Sequence, residues 1–539
     1  MGRLASDIGG TFTDLVYFDD ETGQLKVEKS LTTPKDLTQG VEDTIRLAQV
    51  EPEKIDFFVH GGTTVINAIT ERKGAKTALV TTAGFRDVLE IARGNRPDLY
   101  NLNFEKPVPF VPRRLRFEVR ERMDAAGNEV EPLMLGDLDA VIERCLIEGV
   151  EAVAVQLLHS YAAPQHEAAC AAYLRDKMPG VAVTASCEIT REWREYERAN
   201  TAVLNAYVQP IVQRYFASLE SSLGGQGIDC PFAAMQSNGG STSFAWAKAH
   251  PITLVESGPS AGVNGAALVA ELCGEEDAIY LDIGGTTAKC SVIEGAQVKV
   301  TTDYKLEWTR INPGYPVKVP VVDIVEIGTG GGSIAWFDKA GTLKVGPVSA
   351  GSDPGPASYG QGGTEPTVTD AKLLTGVLDP DYFAGGSIKL DTAAAERAID
   401  EKIATPLGLD LIDAADAIAG EAARATLANY RPRLILNRVR YKRQIEEAHR
   451  FQTLVKEYLS TEMKYVGYVR SDIKILDACE RRRPLMIDNP KAPAARASLQ
   501  IRHVEEDGVF PDDRCGPGPR TVRHFECPRH VLGRAPGGW

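Results

Sequence analysis

The chain has 539 residues, enough for two to four domains, and its 43% hydrophobic and 25% charged content is that of an ordinary folded protein. A net charge of −14 argues against nucleic acid as a main partner, and no run of 18 apolar residues offers a membrane span. Nine scattered cysteines suit reduced thiols better than a disulfide framework. Met1 runs almost directly into a strand-like segment without a secretory leader, so a cytoplasmic protein is expected. The charge is uneven: residues 431–539 hold 22 Lys and Arg against 14 Asp and Glu, which leaves about −22 on the first 430.

Strand and helix signals alternate over the first 425 residues, the pattern of an α/β protein with largely buried sheets. Arg3–Ser6 reads as a strand that enters the turn Asp7-Ile8-Gly9-Gly10-Thr11-Phe12-Thr13-Asp14, followed by the apolar run Leu15–Phe18. Helical patterns follow at Lys35–Ala48, Leu138–Ile147, Gln165–Lys177 and Glu197–Leu223. Strand patterns lie between them at Lys76–Thr81 and Glu151–Leu158, and residues 95–135 are irregular apart from a strand at Arg114–Arg122. Ser257–Gly262 precedes a helical run through Leu272, so its N–H groups are candidates to meet an anion; a plain turn fits equally well.

Ile279–Leu281 then leads into a second turn, Asp282-Ile283-Gly284-Gly285-Thr286-Thr287-Ala288-Lys289, again followed by an apolar run. A strand, a glycine turn and a strand occur twice, about 275 residues apart, which indicates an internal duplication. Paired glycines let backbone N–H groups approach a phosphate, and threonine hydroxyls add donors. An aspartate at the strand end can hold Mg²⁺ or orient an attacking group. Gly9, Gly10, Thr11, Thr13, Gly284, Gly285, Thr286 and Thr287 are therefore candidate phosphate contacts, and Asp7 and Asp282 candidate catalytic and metal residues. Gly328–Ser333 follows a strand at Val321–Ile327, so Gly330, Gly331 and Gly332 are further candidates; a plain turn fits them equally well. The chain contains no G-x-x-x-x-G-K-[ST] loop.

These residues resemble the hydantoinase A/5-oxoprolinase family. The resemblance runs through DIGGTFTD (Asp7–Asp14), HGGTTVINAITERKG (His60–Gly74), GFRDVLEIARGNRPDL (Gly84–Leu99), HSYA (His159–Ala162) and YERANTAVLNAYVQP (Tyr196–Pro210). It continues through MQSNGG (Met235–Gly240), Asp282–Thr287, GTGGGSIAW (Gly328–Trp336), AGSDPGP (Ala350–Pro356) and GTEPTVTD (Gly363–Asp370), covering about residues 3–425. It implies a duplicated actin-like (sugar kinase/actin superfamily) ATPase core using ATP and Mg²⁺, and a hydantoinase-B-like partner subunit. It also implies activation of a small cyclic-amide substrate, a lactam or hydantoin, by phosphorylation of its carbonyl before ring opening. 5-Oxoproline would connect it to glutathione metabolism. The alternatives are the ATP-using subunit of an acetone/acetophenone-type carboxylase, or an inactive truncated or fused product.

His60, Thr63, Thr64 and Asn67, at a strand-to-helix turn, are candidate substrate or phosphate contacts; His60 fits a structural histidine equally well. Asp370 is either a further polar ligand or a helix cap. Two positions depart from the family pattern: Lys289 stands where relatives often carry Asp, and Gly62 where they tend to have Thr. A lysine at 289 is a candidate to touch phosphate.

The expected divisions are 1–195, 196–425, an ATPase-like fragment at 426–499, and a disordered tail at 500–539. Leu434–Arg440 (LILNRVR), Tyr465–Asp472 (YVGYVRSD) and Glu480–Pro484 (ERRRP) resemble the C-terminal part of the deviant-Walker ATPases that place septa and flagella. In that family Asn437 would sit near adenine, but no phosphate loop precedes it here. Cys515, His524, Cys527 and His530 are spaced too irregularly to favour a zinc site.

Overall fold

The computed structural model describes residues 2–428, except 34–35, 95–100, 102–103, 286, 309–311, 328, 384–385 and 387, together with the strands Arg433–Val439 and Lys464–Arg470. Residues 1–426 form one compact unit and 427–539 another. Within the second, Arg433–Val439 and Lys464–Arg470 pair in parallel. Thr286, Gly328 and the four Cys/His positions of the tail lie outside the described residues.

The first unit opens with β1 (Gly2–Ile8), β2 (Phe12–Asp19) and β3 (Leu25–Leu31), an antiparallel meander. Helix α1 (Leu37–Ala48), capped by the Asp36 carboxylate, returns the chain to β4 (Ile55–Gly62), which lies parallel to β1. Alternation along β1 and β2 sends Leu4, Ile8, Leu15 and Tyr17 to one face, where they share a core with Val41 and Ile45 of α1.

After α2 (Thr64–Thr70) the chain builds a second sheet from β5 (Thr77–Thr82), β6 (Arg116–Val119), β7 (Ala152–Gln156) and β8 (Ala182–Ala185). Its order is β8-β7-β5-β6, all parallel. All residues of β5 and β7 are buried, Thr77, Thr81, Thr82 and Gln156 included, as befits central strands of a parallel sheet covered on both faces. The helix α3 (Glu195–Gly225) packs on both cores, through Val203 and Ala206 on this one and Val208, Val212 and Phe216 on the first. Then β9 (Phe232–Met235) and β10 (Ser241–Ser243) complete a first sheet of order β10-β9-β4-β1-β2-β3.

Helix α4 (Ser257–Leu272) leads to the second copy, β11 (Ala278–Ile283) and β12 (Ala288–Glu294). Ser257–Gly262 is thus the first turn of the helix itself and not a loop before it. The predicted strand Val321–Ile327 divides: Val321–Val322 pairs with Val300–Thr301, and β13 (Val325–Ile327) pairs with β12.

The two copies superimpose in register. Ile8 pairs with Thr13 as Ile283 pairs with Ala288, and Asp7 pairs with Asp14 as Asp282 pairs with Lys289. The turns close alike, Gly9 N–H donating to Phe12 C=O over 2.8 Å and Gly284 N–H to Thr287 C=O over 2.9 Å. The third strand repeats too, with Lys29 opposite Asp14 and Glu326 opposite Lys289. The fold is α/β with a duplicated core.

Candidate functional site

The two turns face one another. A Cβ built on Gly285 would lie 2.3 Å from Thr11 Oγ1, so only a glycine admits this approach. Among the described residues the N–H groups of Gly10, Thr11 and Gly285 form no hydrogen bond and remain available to an anion.

Asp7 lies at the centre. Its Oδ1 is buried without a hydrogen-bond partner. A Cβ at Gly61 would come within 2.8 Å of this oxygen and one at Gly258 within 2.6 Å, so two glycines form the walls of its pocket. Gly258 belongs to the first turn of α4, so the start of that helix lies against the carboxylate. Burial, then the charges of Asp14 and Asp282, push the Asp7 pKa up to about 6, against the pull of Lys289 and Lys29. A buried carboxylate oxygen without a donor costs free energy unless something cationic or protic reaches it. Asp282 stands at the matching strand end of the second turn.

Other candidates divide into supports and core residues. Thr63 donates from its N–H and its hydroxyl to Ile8 C=O, at 2.9 and 3.2 Å, and Asn67 Nδ2 donates to Thr63 Oγ1 at 3.1 Å. These two lock the end of β4 to the first turn. Thr64 Oγ1 is buried and unpartnered. Thr13 is fully buried behind the turn, its hydroxyl 3.3 Å from that of Thr32, so it supports the turn and does not face an anion.

His60 is also a correction. It is buried among Phe58, Phe216 and Phe244, with Nδ1 2.7 Å from Ser6 Oγ and Nε2 2.9 Å from the Tyr215 hydroxyl. Both ring nitrogens are engaged and burial pushes its pKa down to about 3, so it is a neutral core residue and not a substrate contact.

Gly330, Gly331 and Gly332 brace the second turn instead of offering N–H groups to phosphate. Gly331 N–H donates to Gly284 C=O at 2.9 Å, Gly332 N–H to Gly285 C=O at 2.6 Å, and Gly330 N–H to Ser333 Oγ at 2.9 Å. Asp370 is a cap: buried, it accepts from Ser358 N–H, Thr367 N–H and the Thr367 hydroxyl in a capping box.

Lys289, the departure at the second turn, is not aimed at an anion. Its Nζ lies 2.8 Å from Glu256 Oε2 in a buried ion pair and 3.9 Å from Glu326, and Tyr304 donates to Glu256 Oε1 at 2.8 Å. Burial opposes its charge, but Glu256 and Glu326 outweigh this and raise its pKa. Asp14 and Lys29, 2.5 Å apart, occupy the equivalent positions in the first copy. The charges at these two positions are thus exchanged, Lys289 and Glu326 standing 3.9 Å apart, while the close partner of Lys289 is Glu256. Glu256 immediately precedes α4, so the pair ties the second turn to the helix that walls Asp7. Sequence reading missed Glu256, and it singled out Gly258 only as part of a candidate anion turn and not as a wall of the Asp7 pocket, because their partners are distant in the chain.

Replacing Gly285 by Ala should push a methyl into Thr11, spread the turns and weaken triphosphate binding at least tenfold, about 1.4 kcal/mol. Calorimetry on that variant measures the loss.

A hydantoinase/oxoprolinase N-terminal region profile matches residues 3–178, and a hydantoinase/oxoprolinase profile matches residues 198–448. The chain belongs to the hydantoinase/oxoprolinase family. An uncharacterised protein of Methanocaldococcus jannaschii is 41% identical over 75% of this chain and 61% of its own length. Caprolactamase subunit alpha of Pseudomonas jessenii is 36% identical over 77% of this chain and 60% of its own length. The crystal structure of that ATP-dependent caprolactamase matches with a TM-score of 0.63 and 34% identity, over 79% of this chain and 62% of that one. A nucleotide-free acetone carboxylase matches with a TM-score of 0.69 and 27% identity, over 80% and 64%. The chain spans about three fifths of the length of the Methanocaldococcus jannaschii and Pseudomonas jessenii relatives.

Proposed function

We propose that the paired turns grip the phosphates of ATP and that the chain takes part in ATP-dependent opening of a cyclic amide. The observation that carries this reading is the Asp7 carboxylate, unpartnered and walled by glycines where the two turns converge. The caprolactamase likeness supports a lactam as the class of substrate.

An amide carbonyl is a poor electrophile. Its oxygen can attack the γ-phosphorus, forming an O–P bond as the bond to ADP breaks. The resulting imidate phosphate carries a carbon that water attacks readily. The water adduct collapses with cleavage of the ring C–N bond, the nitrogen taking a proton, to an acyl phosphate. A second water cleaves the acyl phosphate to the carboxylate and inorganic phosphate. The chain's part is to hold and aim the triphosphate through the N–H groups of Gly10, Thr11 and Gly285, with Asp7 orienting the attacking group.

Asp7 and Asp282 suit a divalent cation such as Mg²⁺, which would neutralise phosphate charge. Among the described residues there is no cluster of three His, Cys, Asp or Glu that would form an all-protein metal cage. Mg²⁺ is commonly held by one or two carboxylates plus phosphate oxygens. No helix among the described residues is long and apolar enough to cross a membrane.

The acetone carboxylase likeness supports a second reading, in which ATP activates a ketone and bicarbonate. Relatives described as subunits support a partner chain of the hydantoinase-B type, so the assay is done with that partner present. Phosphate release driven by caprolactam, 5-oxoproline or a hydantoin, but not by acetone or acetophenone with bicarbonate, is the expected outcome. The reverse pattern would establish the carboxylase reading, and no stimulation by either class would refute both.

A further inference from the structure

Beyond β6 the chain forms a hairpin, Arg122–Met123 against Glu129–Glu131, whose turn is bound by the Asp124 carboxylate. His166, in the first turn of the helix Gln165–Lys177, is buried between two carboxylates. Its Nδ1 lies 2.9 Å from Glu121 Oε2, and its Nε2 lies 2.9 Å from Glu129 Oε2. A neutral imidazole carries one N–H, so with both carboxylates ionised only the imidazolium donates to both. The two carboxylates are unlike. Glu121 is fully buried, and its other oxygen accepts from the hydroxyl of Thr82 at the end of β5. The oxygen of that hydroxyl accepts in turn from Leu158 N–H at 3.0 Å. The Glu129 side chain is 56% exposed. Among the described residues, its bond to His166 is the one side-chain hydrogen bond that ties the outer strand Glu129–Glu131 to the rest of the domain.

We propose that His166 is a pH-operated clasp, which as the imidazolium pins the outer strand of this hairpin to the buried Glu121 and as the neutral ring releases it. On the neutral ring the remaining proton stays on Nδ1, because buried Glu121 would lose its donor whereas Glu129 can turn to water. Nε2 then presents a lone pair to a carboxylate oxygen, and that contact breaks. Burial opposes the charge of His166, but the hydrogen bonds and charges of Glu121 and Glu129 outweigh this and raise its pKa above the ordinary 6.5. The other charged groups on the surrounding elements are engaged elsewhere. Glu167 accepts from Leu157 N–H, Cys187 N–H and the Ser186 hydroxyl, and Arg120 pairs with Asp137. Arg122 lies over the Phe85 ring, and Asp139 accepts from the Tyr173 hydroxyl. Cys170, a turn further along the helix, is a buried thiol with its pKa pushed up to about 12, so it stays neutral. The clasp is therefore fully closed below pH 6.5 and opens as pH rises through the raised value.

Amide hydrogen exchange of the full chain at pH 6 and pH 9, with each rate normalised to that of an unstructured peptide, tests this without any nucleotide. Protection of Glu129–Glu131 should fall at least tenfold at pH 9, while Ala152–Gln156 of β7 stays protected. Glu129→Gln should abolish the pH dependence, because an amide can accept from the protonated Nε2 and donate to the bare one. The histidine ring resonance that His166→Gln removes should titrate above 6.5 in the wild type. Three results would overturn the proposal: equal protection at both pH values, a pH-dependent loss that survives Glu129→Gln, or a loss shared by β7.

Discussion

Asp7→Asn is expected to melt a few degrees above the wild type at pH 8 while losing substrate-driven ATP turnover. In the folded chain the Asp7 pKa stands at about 6, against 3.8 for an ordinary carboxyl group, chiefly because it is buried. The folded state therefore holds the Asp7 proton more tightly than the unfolded chain does. This contribution is fully present below pH 3.8 and is lost as pH rises through 6. Above pH 6 the ionised group costs about 3 kcal/mol, which asparagine removes. Thermal melts of the two proteins should converge at pH 4 and separate at pH 8. A variant less stable at pH 8, or equally active, would mean that the strain at Asp7 does not serve the site.

Lys289→Met carries the second large effect. It leaves Glu256, which is 3% exposed, with a hydrogen bond from Tyr304 but no cation, and losing one partner of a buried pair costs about 3 kcal/mol. Adding Glu256→Gln should recover most of that loss, since the neutral pair no longer strands a charge. The single variant also removes a cation that opposes the raised pKa of Asp7, so the acid limb of any pH–activity profile should move upward. Denaturant melts of the single and double variants measure the coupling. Equal losses in both would show that the pair contributes nothing beyond packing.

The α/β pattern and the duplication were legible because they rest on local periodicity and on a turn whose residues are contiguous. The helix Gln165–Lys177 has the predicted bounds, and the long helix extends only two residues beyond each predicted end. Thr11 and Gly285 come together from the two turns, and Asp7 sits unpartnered between Gly61 and Gly258. What sequence could not supply was each group's partner. His60 looks like a ligand until Ser6 and Tyr215, 54 and 155 residues away, are seen to occupy both its nitrogens. The glycines at 330–332 look like an anion loop until their N–H groups are traced to Gly284, Gly285 and Ser333. Lys289 looks like a phosphate contact until Glu256, 33 residues earlier, is found beside it.

Two turns about 275 residues apart are proposed to form a single polyphosphate site. Titration calorimetry with magnesium tripolyphosphate tests it most directly, because that probe needs no adenine contacts. The expected result is saturable 1:1 binding to the full chain, weakened at least tenfold by Thr11→Val in one turn and by Gly285→Ala in the other. Absence of binding, or binding that ignores either substitution, would contradict it.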